Sequence, residues 1–367
     1  MTSDSAPSFP HNSPPVRPAD AGEVRTALAR LVAGQTLDEP AAGSLFAALL
    51  SGAMDQAQIG ALLALLASRG ATVDELVGGA RVMRAHVTPV ASPAGAIVID
   101  TCGTGGAPKA FNISTAAAIV AAAVRAPGAP RVYVAKHGNR SRTGRGSAEV
   151  LAALGVAIDA PPAVQARCLE RAGVCFSFAI HHHPAMKHAA EPRRSLGFPT
   201  IFNLLGPLTN PAGARRQLLG VARAEALPLV AGALARLGSE RALVVHGAGG
   251  LDELSTLGPT RAMIVDRGTI SEATFDPASL GLRVLGSLSE IEARDAEDSA
   301  RIIRDVFAGE SGALSAHREI VLLNAGAAIL TAGICKGLAE GIVLASRAID
   351  SGEASRTLAL LAECSRG

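Results

Sequence analysis

Apolar residues recur every three or four positions in the first part of the chain, from residue 23 to about residue 90. The repeating positions are Val24, Leu28 and Leu31, then Leu45, Phe46 and Leu49, then Ile59, Leu62, Leu63 and Leu66. Such spacing places apolar side chains on one face of a helix. Thr72 and Glu75 form a capping box, a pattern that opens a helix. The pattern predicts a helical domain over residues 22–93.

Beyond Pro93 the pattern changes to short apolar runs that end in glycine-rich or polar loops. The runs that we interpret as strands are residues 96–99, 132–135, 174–180, 243–245 and 262–265. Helical patterns separate or follow them at residues 114–125, 149–154, 291–307, 319–335, 338–350 and 354–364. Alternation of this kind is typical of an α/β domain whose sheet is covered by helices.

Composition narrows the class of protein. The 367 residues suffice for two domains. Lys and Arg total 34 against 32 for Asp and Glu, and there is no Trp, so neither nucleic acid nor an anionic membrane is an expected partner. The longest apolar run, residues 116–124, is shorter than the ~20 residues of a membrane span. Five scattered cysteines indicate a reducing, cytoplasmic location, and proline-rich residues 1–21 predict a disordered tail.

Four loops after predicted strands carry the candidate chemistry, because ligands of open α/β sheets bind at the carboxyl ends of the strands. The first loop contains Gly103, Gly105 and Gly106 and leads to Ser114 and Thr115 at the start of a helix. Glycines let a phosphate approach the backbone, and a helix start offers N–H groups to an anion. The alternative is a purely structural turn, since the loop matches neither the P-loop nor the dinucleotide fingerprint.

The second loop, residues 136–147, is basic. Lys136, His137, Asn139 and Arg140 stand among glycines directly after a predicted strand. Cations and backbone N–H groups in such a loop suit phosphates. A solvated basic loop is the alternative interpretation.

The third loop begins with His181, His182 and His183 and continues to Arg193. Three adjacent histidines raise the hypothesis of a zinc site. Consecutive side chains diverge, however, and no Cys or carboxylate stands at ligand spacing beside them. We expect Arg193 to be the functional group instead, because a planar guanidinium pairs with a substrate carboxylate through two hydrogen bonds.

The fourth loop carries two adjacent carboxylates, Asp252 and Glu253. Mg²⁺ is usually held by one or two carboxylates together with substrate phosphates and water. A surface helix cap explains the pair equally well when it is considered alone. Together, the two anion loops, the acidic pair and Arg193 indicate a phosphorylated sugar, magnesium and an acidic second substrate.

At these residues the chain resembles the nucleoside phosphorylase and phosphoribosyltransferase family, and within it the anthranilate phosphoribosyltransferases. The matching segments recur in order over nearly the whole chain. They are Gly103-Thr104-Gly105-Gly106, Asn112-Ile113-Ser114-Thr115, Lys136-His137-Gly138-Asn139-Arg140, residues 146–151, His183-Pro184-Ala185-Met186-Lys187, residues 200–211 and Leu251-Asp252-Glu253.

The resemblance implies a small helical domain hinged to a large α/β domain with a central mixed sheet covered by helices. The helical domain comprises residues 22–93 and a second helical segment near residues 184–213. The α/β domain, which binds the phosphoribosyl group, comprises residues 94–183 and 214–367. A homodimer through the helical domain is also implied.

The resemblance also assigns site residues. Those implied for phosphoribosyl pyrophosphate are Gly103, Gly105, Gly106, Asn112, Ser114, Thr115, Lys136 and Ser147. Those implied for anthranilate are Gly103, His137, Asn139, His183, Arg193 and Gly206. Magnesium is assigned to Ser114, Asp252 and Glu253, and the expected catalytic residues are Lys136, Asn139 and Arg193.

The implied reaction joins the amine of anthranilate to C1 of the ribose and releases pyrophosphate, a step of tryptophan biosynthesis. Loss of pyrophosphate leaves an oxocarbenium-like sugar, so the main task of the enzyme is to neutralise the leaving group and to position the amine. An arylamine is already unprotonated at neutral pH. The absence of a strong general base among the motifs is therefore consistent with this reaction.

Three departures from the family pattern affect the predicted site. Ala107 stands where the family has Asp, in a glycine loop one residue short. Residues 142–145 replace a Ser-rich stretch, and His181-His182 replaces a more apolar pair. Two alternatives therefore remain open: transfer to a different aromatic or heterocyclic acceptor, and a catalytically silent regulatory protein that binds phosphoribosyl ligands.

Overall fold

A bundle of helices forms the first domain. The computed structural model describes residues 16–108, 110–126, 128–141, 144–309 and 315–367. The bundle contains α1 (Ala21–Val32), α2 (Glu39–Ser51), α3 (Gln56–Arg69) and α4 (Val73–Ala85). Each of these helices begins after an Asp or Thr whose side chain accepts backbone N–H groups, and the predicted capping box of Thr72 and Glu75 is present. The small helical domain expected from the sequence is present.

The bundle begins slightly before the predicted boundary. Asp20 caps α1, and the N–H of the buried Ala19 donates to the carbonyl of Ser44 at 2.9 Å. These contacts tie residues 16–21 to the bundle, although the sequence pattern placed them in a disordered tail. Residues 1–15 of that predicted tail lie outside the described residues.

Within the described residues, seven strands form one mixed sheet in the order β3-β2-β1-β4-β5-β6-β7. The strands are β1 (Ile97–Gly103), β2 (Val132–Gly138), β3 (Val174–Phe178), β4 (Arg216–Gly220), β5 (Arg241–His246), β6 (Thr260–Asp266) and β7 (Thr269–Phe275). The first five are parallel to one another, and β6 and β7 are antiparallel additions. The parallel strands therefore end at one edge, where the loops after β1, β2, β3 and β5 meet.

The remaining helices cover the sheet or pack on the bundle. They are α5 (Ile113–Ala123), α6 (Ser147–Ala153), α7 (Pro162–Ala172), α8 (Ala179–His182), α9 (Lys187–Leu196), α10 (Ile201–Leu205), α11 (Ala226–Arg236), α12 (Ala296–Phe307), α13 (Ser315–Ala332), α14 (Leu338–Asp350) and α15 (Glu353–Ser365). Helix α13 packs against α5 and α14, whereas α9 packs on α2 and α3, and α10 on α4. The sheet thus stands between the bundle side and the α13 side.

Two apolar cores meet at the sheet. Leu218 belongs to the core that contains α5 and α13, and its neighbour Leu219 belongs to the core that contains the bundle and α11. Successive residues of a strand point to opposite faces, so β4 contributes to both cores. The sheet is consequently buried on both faces, as parallel sheets usually are.

Several predicted elements need correction. The strand predicted at residues 174–180 ends at Phe178, because the chain turns into α8 there. The helix predicted at 291–307 begins at Ala296, after Asp295 accepts the N–H of Asp298. The pattern missed β4, β7, α7 and α11.

Candidate active site

The glycine loop after β1 and the acidic loop after β5 lie in direct contact. The N–H of Gly105 donates to Oδ2 of Asp252 at 3.2 Å. A Cβ at Gly103 would lie 2.3 Å from the same oxygen, and a Cβ at Gly220 would lie 1.5 Å from the backbone oxygen of Asp252. Both positions require glycine because the acidic loop crosses the ends of β1 and β4. Gly103 was expected from the sequence to serve the substrate alone, and this close approach adds a second reason.

Lys136 is buried at the end of β2 and faces the glycine loop. Its Nζ donates to the carbonyl of Thr101 at 2.7 Å and to Oγ of Ser114 at 3.2 Å. Burial lowers the pKa of Lys136, and the nearby Asp100, Cys102, Glu253 and Asp252 act in the opposite direction. The structure therefore brings a cation, the start of α5 and the acidic loop into one site.

The acidic pair has the chemistry of a divalent-cation site. Burial, the charge of Asp252 and a hydrogen bond with it raise the pKa of Glu253 well above its usual range. Ser114, Asp252 and Glu253 line one small cavity. Two carboxylates and a hydroxyl leave further positions for phosphate oxygens and water, which is how Mg²⁺ is commonly bound. The residues present thus fit magnesium.

The start of α5 is arranged to receive an anion. Asn112 occupies the cap position, but among the described residues no side chain caps α5. The Asn112 amide instead donates to the carbonyl of Arg145 at 3.4 Å and accepts from Oγ of Ser299 at 3.0 Å. The hydroxyl of the buried Thr115 has no partner in the described part of the chain. An uncapped helix start at a glycine loop is a favourable place for phosphate.

Ser147, at the end of the second loop, lies on the same side of the site as the start of α5. It is the first residue of α6, and its Oγ would lie 2.5 Å from a Cβ placed on Gly138. The start of α6 and the end of β2 are thus in contact. Asn139 is exposed, and its Oδ1 accepts the N–H of Arg140 at 2.8 Å.

Two buried histidines form the other side of the site. The rings of His137 and His183 lie 5.2 Å apart between centroids, and neither Nε2 atom has a hydrogen-bond partner among the described residues. Burial lowers the pKa of His137 well below its usual value and lowers the pKa of His183 to about 4. A backbone hydrogen bond with Gly206 acts in the opposite direction on His137. Both imidazoles are therefore neutral at pH 7.

Arg193 projects from α9 on the bundle side. Its guanidinium carbon lies 5.2 Å from the centroid of the Phe202 ring, a cation–π contact. Burial lowers the pKa of Arg193, though it stays a cation at neutral pH. The described residues supply no ion pair or hydrogen bond to this guanidinium, so it is available to an anionic ligand.

Two residues that join these two sides, Asn203 and Asp100, were not predicted from the sequence. Asn203 on α10 donates to the carbonyl of Thr104 in the glycine loop at 3.5 Å. Asp100 is fully buried in β1, and its Oδ1 accepts the N–H of His137 at 3.1 Å. A carboxylate inside an apolar strand was the available signal for Asp100. For Asn203 the sequence offered no comparable signal.

Two family models match the chain. The helical bundle domain of a glycosyl transferase family covers residues 25–87, and the a/b domain of that family covers residues 95–355. A protein of Methylobacterium radiotolerans named anthranilate phosphoribosyltransferase is 48% identical over 343 residues, which is 93% of this chain and 96% of the relative. The chain belongs to the anthranilate phosphoribosyltransferase family.

Solved structures of the family share the fold. The crystal structure of the anthranilate phosphoribosyltransferase from Thermus thermophilus is 40% identical, covers 93% of this chain and 99% of its own, and has a TM-score of 0.84. The enzyme of Saccharomyces cerevisiae, in complex with PRPP and Mg, is 24% identical with a TM-score of 0.84 and covers 95% and 99%. At that identity the yeast structure supports the fold.

The histidine run that departs from the family pattern does not form a metal site. His181 binds Asp159 through Nε2 at 3.0 Å, and His182 binds the carbonyl of Thr88 at 2.7 Å and Oε1 of Gln165 at 3.0 Å. His183 faces His137. In the described ranges, no three His, Cys, Asp or Glu side chains are grouped to hold a metal ion.

Two loops were expected from the sequence to differ in charge from the family. Ala107 is half-buried beside Pro108, which lies 3.5 Å from a Cβ placed on Gly250 in the acidic loop. Lys109, Arg142 and Thr143 lie outside the described residues. The Arg145 guanidinium donates to the carbonyl of Ala293 at 2.6 Å and also to that of Arg294. The Arg145 guanidinium is therefore already hydrogen-bonded to backbone carbonyls of the same chain.

Proposed function

We propose that the protein transfers the phosphoribosyl group of phosphoribosyl pyrophosphate to anthranilate, giving N-(5-phosphoribosyl)anthranilate and pyrophosphate in tryptophan biosynthesis. The observation that carries this proposal is the meeting of Lys136, the glycine loop and the acidic pair at one edge of the sheet, in a chain of this family. Lys136, and the divalent cation that the acidic pair would hold, supply the positive charge that a departing pyrophosphate requires, while the glycine loop lets the phosphates approach the backbone.

The sugar-phosphate side holds and activates the donor. The N-terminus of α5, with Asn112, Ser114 and Thr115, and the glycines of the loop bind the phosphates. Ser114, Asp252 and Glu253 would hold Mg²⁺, and the bound ion would neutralise charge on the pyrophosphate. The yeast enzyme was solved in complex with PRPP and Mg, which is consistent with this role. Lys136 adds a fixed positive charge to the same region. Ser147 contributes from the start of α6.

The acceptor side orients anthranilate. Arg193 binds its carboxylate, while His137, His183, Asn139 and the backbone at Gly206 line its path. The nitrogen lone pair of anthranilate attacks C1 as the bond from C1 to the pyrophosphate oxygen breaks, and the amine then releases one proton to water. The hydrogen bonds from Asn203 to Thr104 and from the His137 N–H to Asp100 hold the acceptor side in a fixed position relative to the glycine loop.

The quaternary and cellular setting forms part of the proposal. A homodimer through the helical domain agrees with the exposed Val32 on α1, which leaves 72% of its surface open in the single chain. A cytoplasmic location agrees with five cysteines that are all free and buried. No helix within the described ranges is long and apolar enough to cross a membrane.

The decisive experiment follows the fluorescence of anthranilate after the purified protein is mixed with phosphoribosyl pyrophosphate and Mg²⁺. We expect the fluorescence to fall with a turnover of ~1 to 10³ per second at saturation. A stable signal, with the sugar phosphate bound, would contradict the proposal. A panel of aromatic and heterocyclic amines would then separate a different acceptor from a silent binding protein.

A further inference from the structure

Asn324 is the one polar side chain in the middle of an otherwise apolar stretch of α13. The neighbouring Ile320, Val321, Leu323 and Ala325 are buried, and Asn324 itself is only 1% exposed. A buried amide is costly unless its donors and acceptor are satisfied. The hydrogen-bond partners of the Asn324 amide therefore indicate its role in the fold.

The partners of Asn324 belong mainly to the acidic loop, 70 residues earlier in the chain. Its Oδ1 accepts the N–H of Leu254 at 2.9 Å, and its Nδ2 donates to the carbonyl of the same residue at 2.8 Å. The second hydrogen of Nδ2 goes to the carbonyl of Ile320 at 2.9 Å, within α13. Both hydrogens of the amide are thus used, and two of the three bonds fix Leu254, the residue after Glu253.

The acidic loop is fixed on its other side as well. The N–H of Gly247 donates to the carbonyl of Leu251 at 2.9 Å. Asp252 and Glu253 consequently stand between two anchored residues, Leu251 and Leu254. Asn324 also lines the small cavity that Ser114, Asp252 and Glu253 share.

Helix α13 is a rigid support for this contact. A Cβ at Gly326 would lie 2.7 Å from the backbone nitrogen of Ile342 in α14, so the two helices touch through their backbones. The same helix packs along α5, which carries Ser114. One helix therefore connects the hydroxyl and the carboxylates on the two sides of the cavity.

We propose that Asn324 is a positioning residue that holds Asp252 and Glu253 at the spacing from Ser114 required to bind the divalent cation. The inference rests on the proposed function. It assigns Asn324 no contact with substrate: its effect passes through the backbone of Leu254.

The test compares Asn324→Ala with Thr331→Val. Thr331 is a buried residue of the same helix, and its hydroxyl donates to the carbonyl of Ala327 at 2.7 Å, so the control loses a bond within α13 and none to the acidic loop. The milder Asn324→Thr can keep a bond to Ile320 and loses those to Leu254, which provides a variant if alanine prevents folding. Mn²⁺ would be titrated into each protein by calorimetry, with and without phosphoribosyl pyrophosphate.

We expect both Asn324 variants to weaken Mn²⁺ binding by about 10- to 100-fold, as is usual when a group that orients metal ligands is lost. The KM for anthranilate should stay within twofold, and Thr331→Val should bind Mn²⁺ like the wild type. An Mn²⁺ affinity within twofold of the wild type in a folded Asn324 variant would overturn the inference. An equal fall in metal affinity, anthranilate affinity and melting temperature would also overturn it. A wild type that binds Mn²⁺ but transfers nothing would contradict the proposed function instead.

Discussion

The two sides of the active site differ in how completely their polar atoms are bonded. On the sugar-phosphate side, Lys136 donates to Thr101 and Ser114, and Asp252 accepts from Gly105. On the acceptor side, Nε2 of His137 and Nε2 of His183 lack partners in the described part of the chain. A buried polar atom without a partner is costly. The acceptor histidines are thus completed by their ligand. On the sugar-phosphate side the Thr115 hydroxyl and the uncapped start of α5 are left for the donor phosphates, whereas Lys136 and Asp252 are already bonded within the protein.

This difference follows from where the two sides are built. The sugar-phosphate side comes from loops at the ends of parallel strands, which the sheet holds together. The acceptor side combines the end of β2 and α8 with α9 and α10, which pack on the bundle. We expect changes on the first side to affect catalysis most, and changes on the second side to affect acceptor affinity or stability.

Loss of the acidic pair should have the largest effect. The double change Asp252→Asn with Glu253→Gln removes both carboxylates that hold the cation, and we expect kcat/KM to fall by at least ~10³-fold, since one lost electrostatic contact costs about 10²- to 10³-fold. The anthranilate fluorescence assay measures this. Asp266→Asn is the control, because that carboxylate ends β6 at the opposite edge of the sheet. Activity that survives in the double variant would remove the pair from the metal site.

The second-largest effect on the kinetics is expected from a change at Arg193. Arg193→Ala removes the cation expected to meet the carboxylate of anthranilate, and we expect the KM for anthranilate to rise by roughly 10- to 100-fold, the worth of a charge-assisted hydrogen bond. The KM for phosphoribosyl pyrophosphate should change little. Arg194→Ala is a matched control, because the neighbouring Arg194 is exposed and pairs with Glu191. Equal anthranilate kinetics in the two variants would place the carboxylate elsewhere.

The buried parts of the fold were the most predictable from sequence. Residues 132–135 and 243–245 form continuous apolar runs, and both lie in strands. Strand β4 was missed because it includes Arg216 and Gln217, and the buried Gln217 amide donates to the carbonyl of Pro207 at 2.7 Å. Strand β7 lies at the sheet edge and is mostly exposed, so it needs no apolar pattern.

The residues of the site likewise fall into those that were predictable from the sequence and those that were not. Charged groups at or beyond the ends of strands, such as Lys136 within the end of β2 and Asp252 in the loop after β5, were predictable because parallel strands end at one edge. Asn203 and Asn324 were not, because their partners lie 99 and 70 residues away in the chain. Residues that position others are recognised by their contacts, which the sequence alone does not contain.

The histidines should affect stability in acid. With a folded-state pKa of about 4 against an ordinary 6.5, His183 resists protonation in the folded protein. The unfolded chain therefore takes up the proton first, and stability falls as the pH falls from 6.5 towards 4. Urea unfolding should show that His183→Gln removes about 3 kcal/mol of this loss. The exposed His181→Gln serves as control, and identical pH profiles for the two variants would contradict the prediction.

The smallest effect is expected at Ala107, in the glycine loop of the sugar-phosphate side, where the family is expected from the sequence to have Asp. Ala107→Asp places a carboxylate on the glycine loop, and Pro108 beside it already contacts the acidic loop near Gly250. In a water-like dielectric, a third carboxylate near the cation strengthens cation binding by about 1 kcal/mol. We therefore expect the apparent dissociation constant for Mg²⁺ to fall by roughly three- to fivefold. Ala107→Asn controls for size and polarity without the charge, and magnesium titrations of the initial rate measure both. If the added charge leaves the dissociation constant unchanged, the loop directs position 107 away from the cation, and this chain binds magnesium without help from the loop.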